Sequence, residues 1–226
     1  MYKDLIEYLS QFFTDIRFNQ MVNVVNQRTE YIVPVLENIV QPQNTNAVIR
    51  SCECLGLNKM CLIENENKFS VYKDVDKGSS KWIDIRRYAD KNFNTFDCIN
   101  DLKSEGYRIV ATSPHPGGVS LDDFNIFDGK CAILFGTEPT GLTDTALKLS
   151  DEFLTIPMCG FTESFNISVS AAIILYTLTR KLRNSDFDFI LPENVRQNLL
   201  LEWIKKSLKT PDLIIERYNR EHNTAF

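Results

Sequence analysis

The chain has 226 residues, 43% hydrophobic and 24% charged, with a formal net charge of −5. That is the make-up of a globular protein with room for one sizeable domain, and it excludes disordered and low-complexity classes. It also lacks the basic balance usual in nucleic-acid binders, although a local patch can act on an acidic protein.

The longest apolar run, Ile167 to Leu178, carries Ser and Thr and is too short for a membrane span, which takes ~20 residues. With no signal-peptide pattern, the expected compartment is the reducing cytoplasm. The six cysteines form no Cys-x-x-Cys, and the two histidines, His115 and His222, lie far from any Cys pair, so no metal site is expected.

In chain order, residues 1–32 read as a helical extension. Leu5, Leu9 and Phe12 recur at helical spacing, and Thr14 is placed to cap a second helix reaching Arg28. From residue 33 strands and helices alternate. The spacing predicts a strand at 33–39, a helix from Asn44 to Leu55 stopped by Gly56, and a strand at 59–64. A long charged connection containing Lys81, Trp82 and Ile83 follows.

Asn94 then opens a helix to Ser104, stopped by Gly106. Strands are predicted at 107–112, 131–135 and 153–156, with a helix at 142–149 and another beginning at Ser164 or Asn166. After 183 the pattern becomes helical again, from Pro192-Glu193 and from Pro211. The expected organisation is an extension at 1–32, an α/β domain at 33–183 and a second extension at 184–226. The alternation predicts a mostly parallel sheet with helices on both faces.

Seven of the nine glycines fall between Gly106 and Gly160, mainly at strand ends, where open α/β sheets bind ligands. Turn chemistry alone accounts for such clustering equally well. Three segments carry more. Asn44 sits at a strand-to-helix junction with Arg50 further along the helix, which on plain structural grounds is a cap and a surface arginine. Phe135-Gly136-Thr137-Glu138-Pro139-Thr140-Gly141 joins a strand to a helix, yet is neither a Rossmann fingerprint nor a P-loop. Ile156-Pro157-Met158-Cys159-Gly160 leads through Ser164-Phe165-Asn166 into the apolar helix, with a cap as its ordinary reading.

Together these segments resemble the SpoU class of the SPOUT RNA ribose methyltransferases. Asn44, Arg50 and Gly56 keep that class's N-x5-R-x5-G pattern, and Glu138 and Gly141 its G-x-E-x-x-G loop. Ile156-Pro157-Met158, Gly160, Ser164, Asn166 and Ser168 keep its I-P-M-x-G…S-x-N-x-S block, with Phe165 where leucine is usual. Arg17-Phe18…Val25…Arg28 and Leu200-Leu201-Glu202-Trp203 resemble the terminal helices of the TrmH branch, which methylates guanosine 18 of the tRNA D-loop.

The resemblance implies a trefoil knot in the C-terminal half, a homodimer with its site near the interface, S-adenosylmethionine as cofactor and tRNA as partner. It implies catalytic roles for Arg50, Asn44, Glu138, Ser164 and Asn166. Cofactor contacts are implied at Thr112, Gly136, Ile156, Met158 and Phe165. An arginine stays protonated up to a pKa above ~12, so orienting an RNA phosphate is the easier role for Arg50, and acting as base after perturbation by that phosphate is the other. Glu138 is read as fixing its loop or pairing with a basic group.

RNA contact is expected from Arg17, Arg28, Lys81, Arg86, Arg87 and Lys91, with Arg180, Lys181 and the C-terminal basic residues as a second patch. His115, between two prolines, is a further possible base, though exposure alone explains such a loop histidine. Methylation of another tRNA or an rRNA ribose, or RNA binding without catalysis on the same fold, are the alternatives.

Overall fold

The computed structural model describes residues 2–68, 78–89, 93–113 and 117–222. His115 and Lys91 lie outside the described residues. The chain divides into two compact units, Thr29–Phe189 and a helical unit made from Met1–Arg28 with Ile190–Phe226.

The larger unit is built on a seven-stranded sheet. Its strands are β1 (Ile32–Glu37), β2 (Lys59–Ile63), β3 (Asp84–Tyr88), β4 (Arg108–Thr112), β5 (Val119–Ser120), β6 (Cys131–Phe135) and β7 (Glu152–Thr155). The order is β3-β2-β1-β6-β4-β7-β5, and every pairing is parallel. β1, β2 and β6 are buried along their whole length, as a sheet covered on both faces requires.

Alternate residues of each strand feed two cores. Ile32, Leu36, Met60, Leu62, Val110 and Ile133 face α3 (Pro42–Leu55) and α6 (Ile167–Arg183), meeting Val48, Ile49, Ile174 and Leu178. Val33, Val35, Cys61, Ile109 and Leu134 face α4 (Asn94–Ser104) and α5 (Asp144–Leu149), meeting Cys98, Ile99, Leu102 and Ala146. Helices on both faces of a parallel sheet are therefore observed.

Two strands were not predicted. β3 reads Asp-Ile-Arg-Arg-Tyr and lies at the sheet edge, where half its side chains meet water and no apolar run is needed. β5 has two residues, too few for any periodic signal.

The expected caps differ in an informative way. Gln41 and Phe93 occupy the cap positions of α3 and α4, and neither caps with its side chain. Asn44 and Asn94 lie inside their first helical turns, with their side-chain amides directed to tertiary partners. At α6 the expectation holds: Asn166 is the cap, its side-chain oxygen accepting from the Ser168 N–H at 2.9 Å.

The helical unit contains α1 (Lys3–Ser10), α2 (Asp15–Val25), α7 (Glu193–Ser207) and α8 (Pro211–His222). Leu5, Leu9, Met21 and Val25 are buried within this unit, as are Leu200, Leu201, Trp203, Ile204, Ile215 and Tyr218. The Thr14 side chain caps α2 as expected, accepting from the Arg17 N–H.

Candidate active site

β6, β4 and β7 are neighbours, and their C-terminal ends open into one cavity of about 350 Å³. Thr112 comes from the end of β4, Gly136 to Leu142 from the loop after β6, and Ile156, Met158, Glu163, Ser164 and Phe165 from the segment after β7. Ile167, Ser170 and Ile174 of α6 close another side. All five residues expected at the cofactor thus border a single space, together with Glu138 and Ser164.

The 136–142 loop is drawn tight. Thr137 and Gly141 exchange backbone hydrogen bonds of 3.0 and 2.9 Å, and Gly141 has φ of +70°. A Cβ on Gly136 would lie 2.2 Å from the Gly141 carbonyl carbon, so only glycine fits there. Thr112 Oγ1 donates to the Leu134 carbonyl at 2.8 Å, tying the end of β4 to β6.

Glu138 reaches out of this loop to join two distant segments. Its Oε1 accepts from Asn44 Nδ2 at 3.2 Å and from Asn166 Nδ2 at 2.5 Å, with the Ile167 N–H at 3.4 Å. Asn166 Nδ2 also donates to Asn44 Oδ1 at 3.2 Å. One carboxylate oxygen therefore gathers residues from all three sequence segments, through charge-assisted bonds of the stronger kind. Asn44 is buried, whereas Asn166 and Ser164 are exposed.

Arg50 does not join this cluster. It lies six residues beyond Asn44 on α3, roughly 9 Å along the axis and roughly 120° around it. Its side chain is exposed, and no hydrogen bond or ion pair ties it to another described residue.

The expected RNA-facing arginines have separate fates. Arg17 is exposed on α2 and bonds Gln20. Arg86 and Arg87 sit on edge strand β3, each already engaged: Arg86 with Glu105, and Arg87 in a two-pronged pair with Glu64 at 2.8 and 3.0 Å. Arg28 is a correction, because it is fully buried with its guanidinium 5.0 Å from the Trp203 ring and so presents no charge to a surface. Lys181 is likewise drawn inward, donating to the carbonyls of Leu121, Asp122 and Phe124.

Leu142, Leu154, Ile174 and Glu163 also line the cavity and went unmarked in the sequence reading. The three apolar ones look like ordinary core residues, and nothing in their spacing separates wall from core.

An open parallel sheet whose strand ends converge on a cavity is the architecture of α/β proteins that bind a small molecule at their carboxyl ends. The chain matches the SpoU rRNA Methylase family over residues 31–176, and it belongs to that family. It is 43% identical over 209 residues to the tRNA (guanosine(18)-2'-O)-methyltransferase of Borreliella burgdorferi, an alignment covering 92% of this chain and 94% of that one. It is 28% identical over 190 residues to the enzyme of the same name from Escherichia coli K12, covering 82% and 81%. Among solved structures, the A. aeolicus TrmH/SpoU tRNA modifying enzyme superposes with a TM-score of 0.75 at 23% identity, over 86% of this chain and 98% of that one. The SpoU methyltransferase AviRb from Streptomyces viridochromogenes, solved in complex with AdoMet, superposes at 0.58 with 24% identity, over 70% and 63%.

Proposed function

We propose that this chain is a tRNA 2'-O-methyltransferase that uses S-adenosylmethionine and modifies guanosine 18. The chemistry rests on one observation: Glu138 unites Asn44 and Asn166 beside the cavity that Thr112, Gly136, Ile156, Met158 and Phe165 border. The choice of nucleoside rests on the 43% likeness over nearly the whole of both chains.

The cavity fits the cofactor. Its volume lies in the range of small-molecule sites. Leu142, Leu154, Ile156 and Met158 offer apolar walls for an adenine, Thr112, Ser113, Thr137 and Thr140 offer polar edges, and Glu138 and Glu163 suit a cationic ligand. Bound there, S-adenosylmethionine supplies a methyl group already activated by its sulfonium.

The protein's own task is placement and proton handling. With Oε1 of Glu138 engaged by two amides, we assign it to fixing the loop rather than to accepting a proton. Asn44 and Asn166 are thereby held as the wall facing the ribose, with Ser164 alongside. Arg50, exposed and uncommitted, is suited to grip an RNA phosphate and orient the 2'-hydroxyl.

We read the active form as a cytoplasmic homodimer with the knotted chain path of the family. Val169 and Tyr176 support the dimer, being exposed and within about 20° of one another around α6 at 100° per residue. RNA engagement is assigned to Arg17 in the helical unit and to the Arg86–Arg87 edge strand in the larger one.

The test is methyl transfer from labelled cofactor to unmodified tRNA, with the modified nucleotide mapped. We expect 2'-O-methylguanosine at position 18, and an Arg50→Ala loss of about a hundred-fold or more in kcat/KM. Methylation elsewhere overturns the nucleoside assignment, and a fully active Arg50→Ala protein removes Arg50 from the mechanism.

A further inference from the structure

Glu37 is the last residue of β1 and is 1% exposed. A buried carboxylate is costly unless its oxygens are satisfied. Here Oε1 accepts from Thr95 Oγ1 at 2.6 Å and from Thr143 Oγ1 at 2.8 Å, and Oε2 accepts from the Thr143 N–H at 2.9 Å. Two of these three bonds go to one residue.

Thr143 directly follows Leu142, the last residue of the cavity-lining loop, and caps α5 by accepting from the Ala146 N–H at 3.2 Å. The loop's other end is fixed by β6, where Leu36 of β1 pairs with Phe135. β1 thus grips the 136–142 loop at both ends, through strand pairing before Gly136 and through Glu37 after Leu142. Between these anchors lie Glu138 and the Thr137–Gly141 ring. Thr95 carries the same anchorage outward, accepting from Asn65 Nδ2 at 3.0 Å.

We infer that Glu37 is a positioning residue for the cofactor loop. Its carboxylate sets where Thr143 stands, and through Thr143 it sets the curvature of the 136–142 wall. It touches neither the cavity nor the reacting atoms and acts through Thr143 alone. The role rests on the cavity being the S-adenosylmethionine site.

Glu37→Gln preserves size but aims an amide N–H₂ at a donor, either the Thr143 N–H or the threonine hydroxyls. At a temperature where circular dichroism shows the variant folded, KM for S-adenosylmethionine rises about five- to twenty-fold, while kcat and KM for tRNA stay within about two-fold. Thr143→Val removes the hydroxyl bond to Glu37 together with the α5 cap and gives a rise of the same kind, Thr143→Ser keeps both and the wild-type value, and Glu37→Gln adds nothing in the Thr143→Val background beyond its own effect.

An unchanged cofactor KM in a folded Glu37→Gln protein overturns the inference. So does a uniform fall in kcat with both KM values shifted, the mark of general destabilisation. Should Glu37→Gln not fold, the Thr143→Val and Thr143→Ser pair decides it by the same readout. Absence of saturable S-adenosylmethionine binding by the wild-type protein would instead strike the proposed function, which separates the two failures.

Discussion

Lys59 shows how a buried charge is made tolerable in this protein. It opens β2 with its side chain 1% exposed, its ammonium donates to Glu105, and the Tyr107 ring lies 5.4 Å away. Glu105 also accepts from Arg86. Burial alone pushes the Glu105 carboxyl up, but the hydrogen bonds from Lys59 and Arg86 outweigh it and hold the group below its usual range. A carboxylate with a depressed folded pKa contributes stability that is present above its unfolded pKa of ~4.3 and is lost as pH falls through the folded value. Glu105→Gln should therefore cost on the order of 2 kcal/mol at pH 7, by leaving the Lys59 ammonium without its charged acceptor. The gap from wild type should begin to narrow once pH falls below ~4.3 and go on narrowing as it passes through the lower folded value. Urea unfolding at pH 7 and pH 3.5 checks this, and a gap independent of pH contradicts it. At this scale the sequence was uneven as a guide. Asn44, Glu138 and Asn166 could be picked out by their resemblance to the SpoU motifs, but that one carboxylate oxygen joins them is a fact of tertiary structure. Arg28 misled because its burial depends on Trp203, far along the chain. Glu37 gave no signal beyond a charge at the end of an apolar strand.

Among the elements, the 136–142 loop is folded tightly on itself at Gly136 and Gly141. An added methyl at Gly136 would press on the Gly141 carbonyl and the Leu142 nitrogen at 2.2–2.3 Å, and backbone cannot step aside as a flexible side chain does. Gly136→Ala is expected to keep the circular-dichroism spectrum yet weaken S-adenosylmethionine binding at least about ten-fold, as read by calorimetry. Wild-type affinity in that variant would show that the loop does not shape the cavity. The strands and helices that bury a face were legible from periodicity: β6 at Cys131–Phe135 and α4 at Asn94–Ser104 fall where the pattern placed them. Edge strand β3 was hidden because none of its five residues is fully buried and it includes a two-arginine run. The cap positions of α3 and α4 were hidden for another reason. An asparagine near a helix start looks like a cap until its tertiary partner is known, and at Asn44 that partner is the Glu138 of the candidate site.

On the scale of the whole molecule, the two ends of the chain form one helical unit. α1 and α2 bury Leu5, Leu9, Met21 and Val25 in the unit that α7 and α8 complete. Removing residues 190–226 should therefore strip those apolar side chains of cover and drive the chain into assemblies larger than the wild-type one. Sedimentation velocity with a dye that reports exposed apolar surface tests this, and a truncated chain that sediments like wild type without binding the dye contradicts it. The sequence marked both ends as helical and gave no sign that they share a core, because periodicity reports which face is apolar and never what covers it.

Arg28 and Trp203 stack within that unit, yet one is made long before the other. At a synthesis rate of ~5–20 residues per second, α1 and α2 wait roughly ten to forty seconds for α8. Throughout that interval a nascent chain carries a buried-type arginine and the five core side chains of α1 and α2, Leu5, Ile6, Leu9, Met21 and Val25, in the open. The strands meanwhile face a similar delay, since β1 needs β6. A segment made before its partner helices is thus finished late, and a helper that shields emerging chains would have a long appointment with residues 3–28.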